Sequence, residues 1–323
     1  MATPTVGLKT HIWNNNLKVV LFLLLYPMII TPLYVGVIAV FIYIFGMLGS
    51  FNAPESTQTI AEIFEGIIYG YWYVPYLLLF GYLGLVYLWH KDYMHLAKRK
   101  APINRNSYPE IYTLLENLCI SRGMKTPYFF LYEHASPNAY TRGISEHTYY
   151  IVITTGLLEK LETDELEAVL AHELTHIINR DTRFIFLTSS VTEIFLKFGD
   201  LLVSPADGDR MYVSGHGFLA MVPLFFLSML FKMGNVGLFL VNALITKNRE
   251  FVADAGAVEL TKNPQALIRA LSKIEDGYYY LGLNMPLSER VSLIHYDNPR
   301  DFTYTHPEIS SRIAKIRAIN RTG

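Results

Sequence analysis

The chain has 323 residues, of which 51% are hydrophobic and 17% charged, and its formal net charge is −1. No basic excess is present to hold nucleic acid, and the balance is too apolar for an ordinary soluble domain. The single cysteine, Cys119, excludes an intramolecular disulfide, and it falls within the apolar pattern of Ile111, Leu114, Leu115 and Leu118, where it reads as core packing.

Residues 1–18 read as an N-terminal extension on the cytoplasmic side. Val19 to Leu48 then carries no charge, with Pro27 and Pro32 placed to kink or tilt it, and Gly66 to Trp89 carries none either. Both runs are long enough to cross a bilayer, and Trp72, Tyr73, Tyr87 and Trp89 sit where interfacial aromatics belong, so 19–90 is expected to be a transmembrane hairpin. A cleaved signal peptide would have a shorter apolar core. Lys9 and Lys18 precede the hairpin, and Lys91, Lys98, Arg99, Lys100 and Arg105 follow it. The loop from Gly49 to Glu65 holds Glu55, Glu62 and Glu65 and no Lys or Arg, so the flanks, and the residues after them, are expected to face the cytoplasm.

Residues 91–181 read as the first part of an aqueous domain. A helix is expected from Ser107, with Glu110 completing a capping box, to about Gly123. Strands are expected at Tyr128–Tyr132 and Thr148–Thr154. Between them Asn138, Ala139 and Tyr140 form a strand edge, which is either an arm of an ordinary hairpin or a place to hold an extended peptide through its backbone.

The next helix carries the chemistry. Thr163 is the expected N-cap, Asp164 and Glu165 suit the positive end of the dipole, and Leu166, Val169, Leu170, Leu174 and Ile177 form an apolar arc. Within it stands His172-Glu173-Leu174-Thr175-His176. Four residues make about one turn, so both imidazoles can share one ion, while Glu173 projects roughly 100° away and can reach a water on that ion. Two neutral nitrogens and a free carboxylate suit a zinc peptidase, which needs a third protein ligand and an open position for water.

Two further apolar stretches, Phe184–Val203 and Phe218–Thr246, occupy 182–246. Glu193, Lys197 and Lys232 interrupt them, and they form either a second membrane hairpin or long amphipathic helices at the interface. Residues 247–323 then complete the aqueous domain. Glu250 and Asp254 are four apart and share a helical face, with Phe251, Val252 and Ala255 around them. Glu250 is the expected third zinc ligand, and Asp254 is expected to accept the free N–H of a ligand histidine. The alternative is a solvated acidic face with Arg249 as a surface partner. An Asn263-Pro264-capped helix around Ala266–Ile274 and a last helix from about Thr305 follow.

The motifs His172–His176 and Arg249-Glu250-Phe251-Val252-Ala253-Asp254-Ala255 together resemble those of the HtpX family of membrane-integrated zinc peptidases, relatives of the CAAX-prenyl proteases. Pro137-Asn138-Ala139-Tyr140, Thr154-Thr155-Gly156-Leu157-Leu158, and Thr305-His306-Pro307 with Arg312-Ile313 are similar to further segments of that family, in the same order. The N-terminal extension and the tyrosine-rich stretch near Tyr278–Tyr280 depart from the pattern without touching these residues. The resemblance implies an α+β, mostly helical, zincin-like metallopeptidase domain attached to a multi-span helical membrane region. It also implies a role in degrading damaged or misassembled membrane proteins at the inner membrane, and it favours substrate binding at Asn138–Tyr140.

Hydrolysis places negative charge on the scissile carbonyl oxygen, and His306 and Arg312 are the candidate donors to it. On one helix from Thr305 they lie about 120° out of alignment, so His306 can instead cap that helix and Arg312 can pair with Glu250 or Asp254. Immersion of the motif in the bilayer conflicts with Glu162, Asp164, Glu165, Glu167, Arg180 and Asp181 around it. A CAAX-prenyl-type processing protease and a non-catalytic metal-binding scaffold are the rival functions. Glu173, which a structural metal site does not need, argues against the second.

Overall fold

A computed structural model describes residues 31–40, 56–89, 101–183, 186, 248–276 and 307–322. These divide into two compact units, one ending at Tyr87 and the other starting at Leu88.

The first unit is helical: α1 (31–40), α2 (Ser56–Tyr71) and all but the last two residues of α3 (Val74–Trp89). The uncharged run Gly66–Trp89, expected as one span, is therefore two helices broken at Trp72–Tyr73. Pro75 is the physical cause. It has no N–H to offer the turn before it, and its ring crowds the preceding backbone. The ladder restarts with Leu77 N–H donating to the Tyr73 carbonyl at 3.0 Å. Among the described residues, no helix is long and apolar enough to cross a membrane.

The second unit places a four-stranded mixed sheet against helices. Its strands are β1 (Ala101–Pro102), β2 (Tyr128–Tyr132), β3 (Ala139–Arg142) and β4 (Tyr150–Thr154), in the order β1-β2-β4-β3. β2 and β4 run parallel, and β3 pairs antiparallel with β4 at the sheet edge. β4 begins two residues later than expected because Thr148 is taken up by the turn: its Oγ1 accepts the N–H groups of Ile144 and Ser145 at 3.2 and 3.0 Å. Gly143, at φ 110°, makes that reversal possible, since an L side chain there would strain the backbone and strike the Thr148 carbonyl. Central β4 is buried throughout. Its Ile151 and Ile153 join the helix-side core and Val152 packs on the other face with Phe130 and Tyr140, each contributing about 1.5–3 kcal/mol by burial.

Helix α4 (Pro109–Ser121) does not use the expected Ser107–Glu110 box. Pro109 fixes the first turn, Tyr108 is the N-cap, and Ser107 Oγ instead accepts the Asn104 N–H at 3.1 Å. Its end is as expected: Gly123, at φ 62°, lets the Met124 N–H reach back to the Cys119 carbonyl at 3.1 Å. Short helix α5 (Thr155–Lys160) is capped by Thr154, whose Oγ1 accepts the Leu157 N–H.

Helix α6 (Thr163–Ile178) carries the H-E-x-x-H motif. Its N-cap is Glu162 rather than Thr163, because Glu165 at the third position reaches back to the Glu162 N–H at 3.0 Å. The expected arc of Leu166, Val169, Leu170, Leu174 and Ile177 is buried. Helix α7 (248–261) carries Glu250 and Asp254. Helix α8 (Pro264–Asp276) starts as expected, with Asn263 Oδ1 accepting the Ala266 N–H at 3.1 Å. Helix α9 (Ile309–Thr322) begins later than Thr305, because the Glu308 carbonyl accepts the first helical bonds, from Ser311 and Arg312.

Buried Glu165 also accepts Lys273 Nζ at 2.7 Å and Arg269 Nε at 3.1 Å, which ties α8 to the start of the motif helix. Burial alone would raise its pKa, but Lys273, the Glu162 N–H and Arg269 outweigh burial and hold it below the usual range. A lowered folded pKa contributes stability that is complete above the unfolded value and lost as pH falls through the folded one. Glu165→Gln is therefore expected to lower the unfolding temperature at pH 7. The gap to the parent protein should close on acidification below about pH 4; a gap constant across that range refutes the ion-pair account.

Candidate metal centre

His172 and His176, one turn apart on α6, meet Glu250 from α7, and the ligand atoms of all three lie within 4.8 Å of one another. The two Nε2 atoms are 3.2 Å apart, His172 Nε2 lies 3.4 Å from Glu250 Oε2, and His176 Nε2 lies 3.6 Å from Glu250 Oε1. Bonds of about 2.0–2.1 Å to a tetrahedral zinc put neighbouring ligand atoms about 3.3–3.4 Å apart. The histidine pair and each histidine's nearest Glu250 oxygen are close to that spacing, the two approaches being to different oxygens of the one carboxylate. His172 is fully buried, whereas the His176 side chain keeps 12% exposure, so the cluster opens on the His176 side.

The outer nitrogen of each histidine is held in the same way. His172 Nδ1 lies 3.0 Å from Asp254 Oδ1, and His176 Nδ1 lies 2.9 Å from Asp181 Oδ2. Each carboxylate in turn meets a buried arginine. Arg312 grips Asp254 with two parallel bonds, Nε to Oδ2 at 2.9 Å and Nη2 to Oδ1 at 2.6 Å, and its Nη1 is 3.6 Å from Glu250. Arg249 Nε lies 3.4 Å from Asp181 Oδ1. These bonds fix the rings with Nε2 turned inward, which is the orientation a ligand needs.

Asp181 and Arg249 were not singled out in the sequence. Arg249, a surface partner only in the alternative reading of that acidic pair, is 3% exposed, and Asp181 is 1% exposed. Arg180, in the left-handed conformation at φ 60°, turns the chain just past the helix end, and Asp181 follows it onto His176. The one available signal was an acidic residue just beyond the second histidine.

Charge explains why the cluster suits a cation. Four buried carboxylates, Glu173, Glu250, Asp254 and Asp181, face two buried guanidiniums, Arg249 and Arg312, among the described residues. Uncompensated charge in an interior is costly, and a divalent ion offsets this excess of carboxylates. The histidines register the same deficit. Burial alone would lower His172, but Asp254 and Glu250 outweigh it and push its pKa up to about 9. His176 is raised likewise, Asp181 and Glu250 prevailing over burial.

Glu173 is 1% exposed and stands beside the three ligands without joining them. Thr141 on β3 donates its hydroxyl to Glu173 Oε2. Oε1 is buried with no hydrogen-bond partner among the described residues. Burial pushes its pKa up, against the lowering pull of His176 and His172. The result is an oriented acceptor beside the histidine pair.

Asn138, Ala139 and Tyr140 are all buried, at the start of the edge strand next to Glu173. The Asn138 carbonyl accepts the Thr154 N–H of β4 at 3.0 Å. By the alternation of an antiparallel ladder, Ala139 and Thr141 then turn their backbone groups to the outer edge. His306 lies outside the described residues. Of the readings open for Arg312, the geometry is that of an ion-pair partner, to both Asp254 and Glu250.

Residues 107–320 match peptidase family M48. A protease HtpX homolog of Bacteroides fragilis (strain YCH46) is 33% identical over 289 residues, covering 83% of this chain and 83% of that protein. Another, from Ligilactobacillus salivarius (strain UCC118), is 28% identical over 291 residues, covering 87% of this chain and 94% of the relative. The crystal structure of S. mikatae Ste24p aligns at a TM-score of 0.43 and 20% identity, over 94% of this chain and 66% of that one. With two thirds of its length matching that family and an HtpX protease as a relative over most of its length, the chain belongs to peptidase family M48 and is an HtpX-type metalloprotease that hydrolyses peptide bonds.

Proposed function

We propose that this protease is a zinc endopeptidase anchored in the cytoplasmic membrane, with its catalytic unit on the cytoplasmic side and membrane proteins in need of removal as its substrates. The observation that carries the zinc reading is the triad of His172, His176 and Glu250, whose ligand atoms gather within 4.8 Å of one another, with Glu173 beside it. His172, His176 and Glu250 would hold one ion per chain. Zinc, when bound, lowers the pKa of the attacking water and polarises the scissile carbonyl.

The chain's own residues do the rest. Glu173 takes the proton of the attacking water at Oε1, because Thr141 already occupies Oε2, and passes it to the leaving amine. Asp254 and Asp181 hold the two histidines in register, and Arg312 holds Asp254. Ala139 and Thr141 offer their outward backbone groups to an extended substrate, and Asn138 and Tyr140 fasten that strand to the sheet. Recognition through backbone needs no particular side chain, which suits a protease clearing varied substrates. His306 is the proposed donor to the developing oxyanion. Digestion of a denatured membrane protein should stop on chelation and resume on adding zinc, while the same protein folded should resist. Cleavage insensitive to chelator rejects the proposal.

Support for the membrane anchor comes from the uncharged runs and from α3, which exposes Leu77, Leu78, Phe80, Leu85 and Leu88. Such a surface is unfavourable in water. At about 1.5 Å per residue, α3 measures roughly 24 Å against a hydrocarbon core of about 30 Å, so a crossing needs the residues flanking it. The proposed arrangement is an anchor over 19–90, a second membrane-associated pair over 182–246, and a catalytic unit from 91–181 and 247–323. Single cysteines introduced at Asn52 and Asn104 are expected to separate cleanly in intact cells. An impermeant maleimide should label position 52 from outside and reach position 104 only after permeabilisation. The opposite pattern inverts the assigned compartment.

A further inference from the structure

We propose that Gly256 is a positioning residue for the metal centre. Its missing side chain sets the separation between the helix bearing His172 and His176 and the helix bearing Glu250. The inference rests on the zinc-ligand set proposed above. Gly256 follows Glu250 and Asp254 on α7 and faces Thr175 of α6, the residue immediately before His176. A methyl group at Gly256 would lie 2.7 Å from Thr175 Oγ1, 3.1 Å from its Cβ, and closer still to its Cγ2. Atoms in a packed interior do not approach so closely, so one helix must shift.

Thr175 has little room to yield. It is 3% exposed and its Oγ1 donates to the Ala171 carbonyl at 2.8 Å. Both Oγ1 and Cγ2 face Gly256, so any staggered rotamer keeps a heavy atom in at least one of those two positions. Ala253 and Ala257, its neighbours one turn away or adjacent on α7, are fully buried. Glycine is otherwise a poor choice inside a helix, and Gly70, Gly81 and Gly84 have open space where a methyl would go. At those positions alanine meets no obstacle; at Gly256 it meets Thr175. Because both histidines ride on one helix and Glu250 on the other, parting the helices lengthens the His–Glu250 spacings of 3.4 and 3.6 Å and leaves the histidine pair intact.

The test uses the full chain in detergent. Zinc affinity is measured by competition with a chromophoric chelator, and thermal unfolding is followed on the metal-free protein. Gly256→Ala is expected to weaken zinc by about tenfold or more, comparable to the loss of a residue that orients a ligand. Thr175→Ala alone should bind zinc close to the parent protein. The double variant, which leaves only the Cβ contact, should recover most of the affinity. Wild-type zinc affinity in Gly256→Ala overturns the proposal, even if unfolding shifts, since the contact is then packing alone. Should the single variant not fold, the double variant decides, and failure to recover folding and zinc together also overturns it. Failure of the ligand assignment itself is read separately, from zinc retained by Glu250→Ala.

Discussion

Glu173→Gln is expected to retain a full zinc complement while losing proteolysis by at least about a hundredfold, since a positioned general base contributes 10²–10⁴ in rate. Glutamine preserves the volume, and its carbonyl oxygen still accepts the Thr141 hydroxyl that holds Glu173 Oε2. What it lacks is basicity at the other oxygen, the one with no partner among the described residues. The ligand triad does not include Glu173, so metal content should be unchanged. Nor should the metal-free variant unfold earlier, since a carboxyl whose pKa burial already raises is being replaced by a neutral group. Glu250→Ala should behave oppositely and lose zinc and activity together. A Glu173→Gln protein that still digests substrate at an appreciable rate would move the base elsewhere; full zinc in Glu250→Ala would remove that residue from the ligands.

The parts legible in the sequence were those that local physics decides. The α6 arc follows from helical periodicity, the Asn263 cap from its side chain's reach, and the histidine pair from a spacing of one turn. Glu250 and Asp254 were found because their shared face and apolar neighbours made a solvated surface a poor reading. The misses arose where one local rule overrode another, or where a partner came from far along the chain. Pro109 outcompeted the Ser107 cap, and Pro75 broke an uncharged run that hydropathy alone joins. Arg249 meets Asp181 across 68 residues. The apolar neighbours that count against a solvated face also flank Arg249, but nothing local names Asp181 as its partner. The contact of Gly256 with Thr175 was hidden for a similar reason: a glycine inside a helix looks like a local weakness until the neighbouring helix is in place.

Arg312→Ala is expected to destabilise the catalytic unit by about 3–5 kcal/mol, the usual consequence of leaving a buried charge without its partner. Arg312 is 1% exposed and makes both of its short bonds to Asp254, itself 2% exposed. Burial would raise the Asp254 pKa, and it is the Arg312 charge first, then His172, that holds it below the usual range. Without the guanidinium, Asp254 must take up a proton or draw in water, and either change loosens its hold on His172. Two effects are therefore combined, and a second substitution separates them. Replacing Arg312 with Met and Asp254 with Asn in one chain removes both charges and fills the space, so much of the lost stability should return. Zinc affinity should not return with it, because Asn gives His172 no charged acceptor; a deficit of about 10–100-fold is expected to remain. If the double change restored zinc as well as stability, the pair would be only a structural tie. If Arg312→Ala unfolded at the parent temperature, Arg312 would not be holding Asp254 at all, and its role would revert to the other reading, donation to the substrate oxygen.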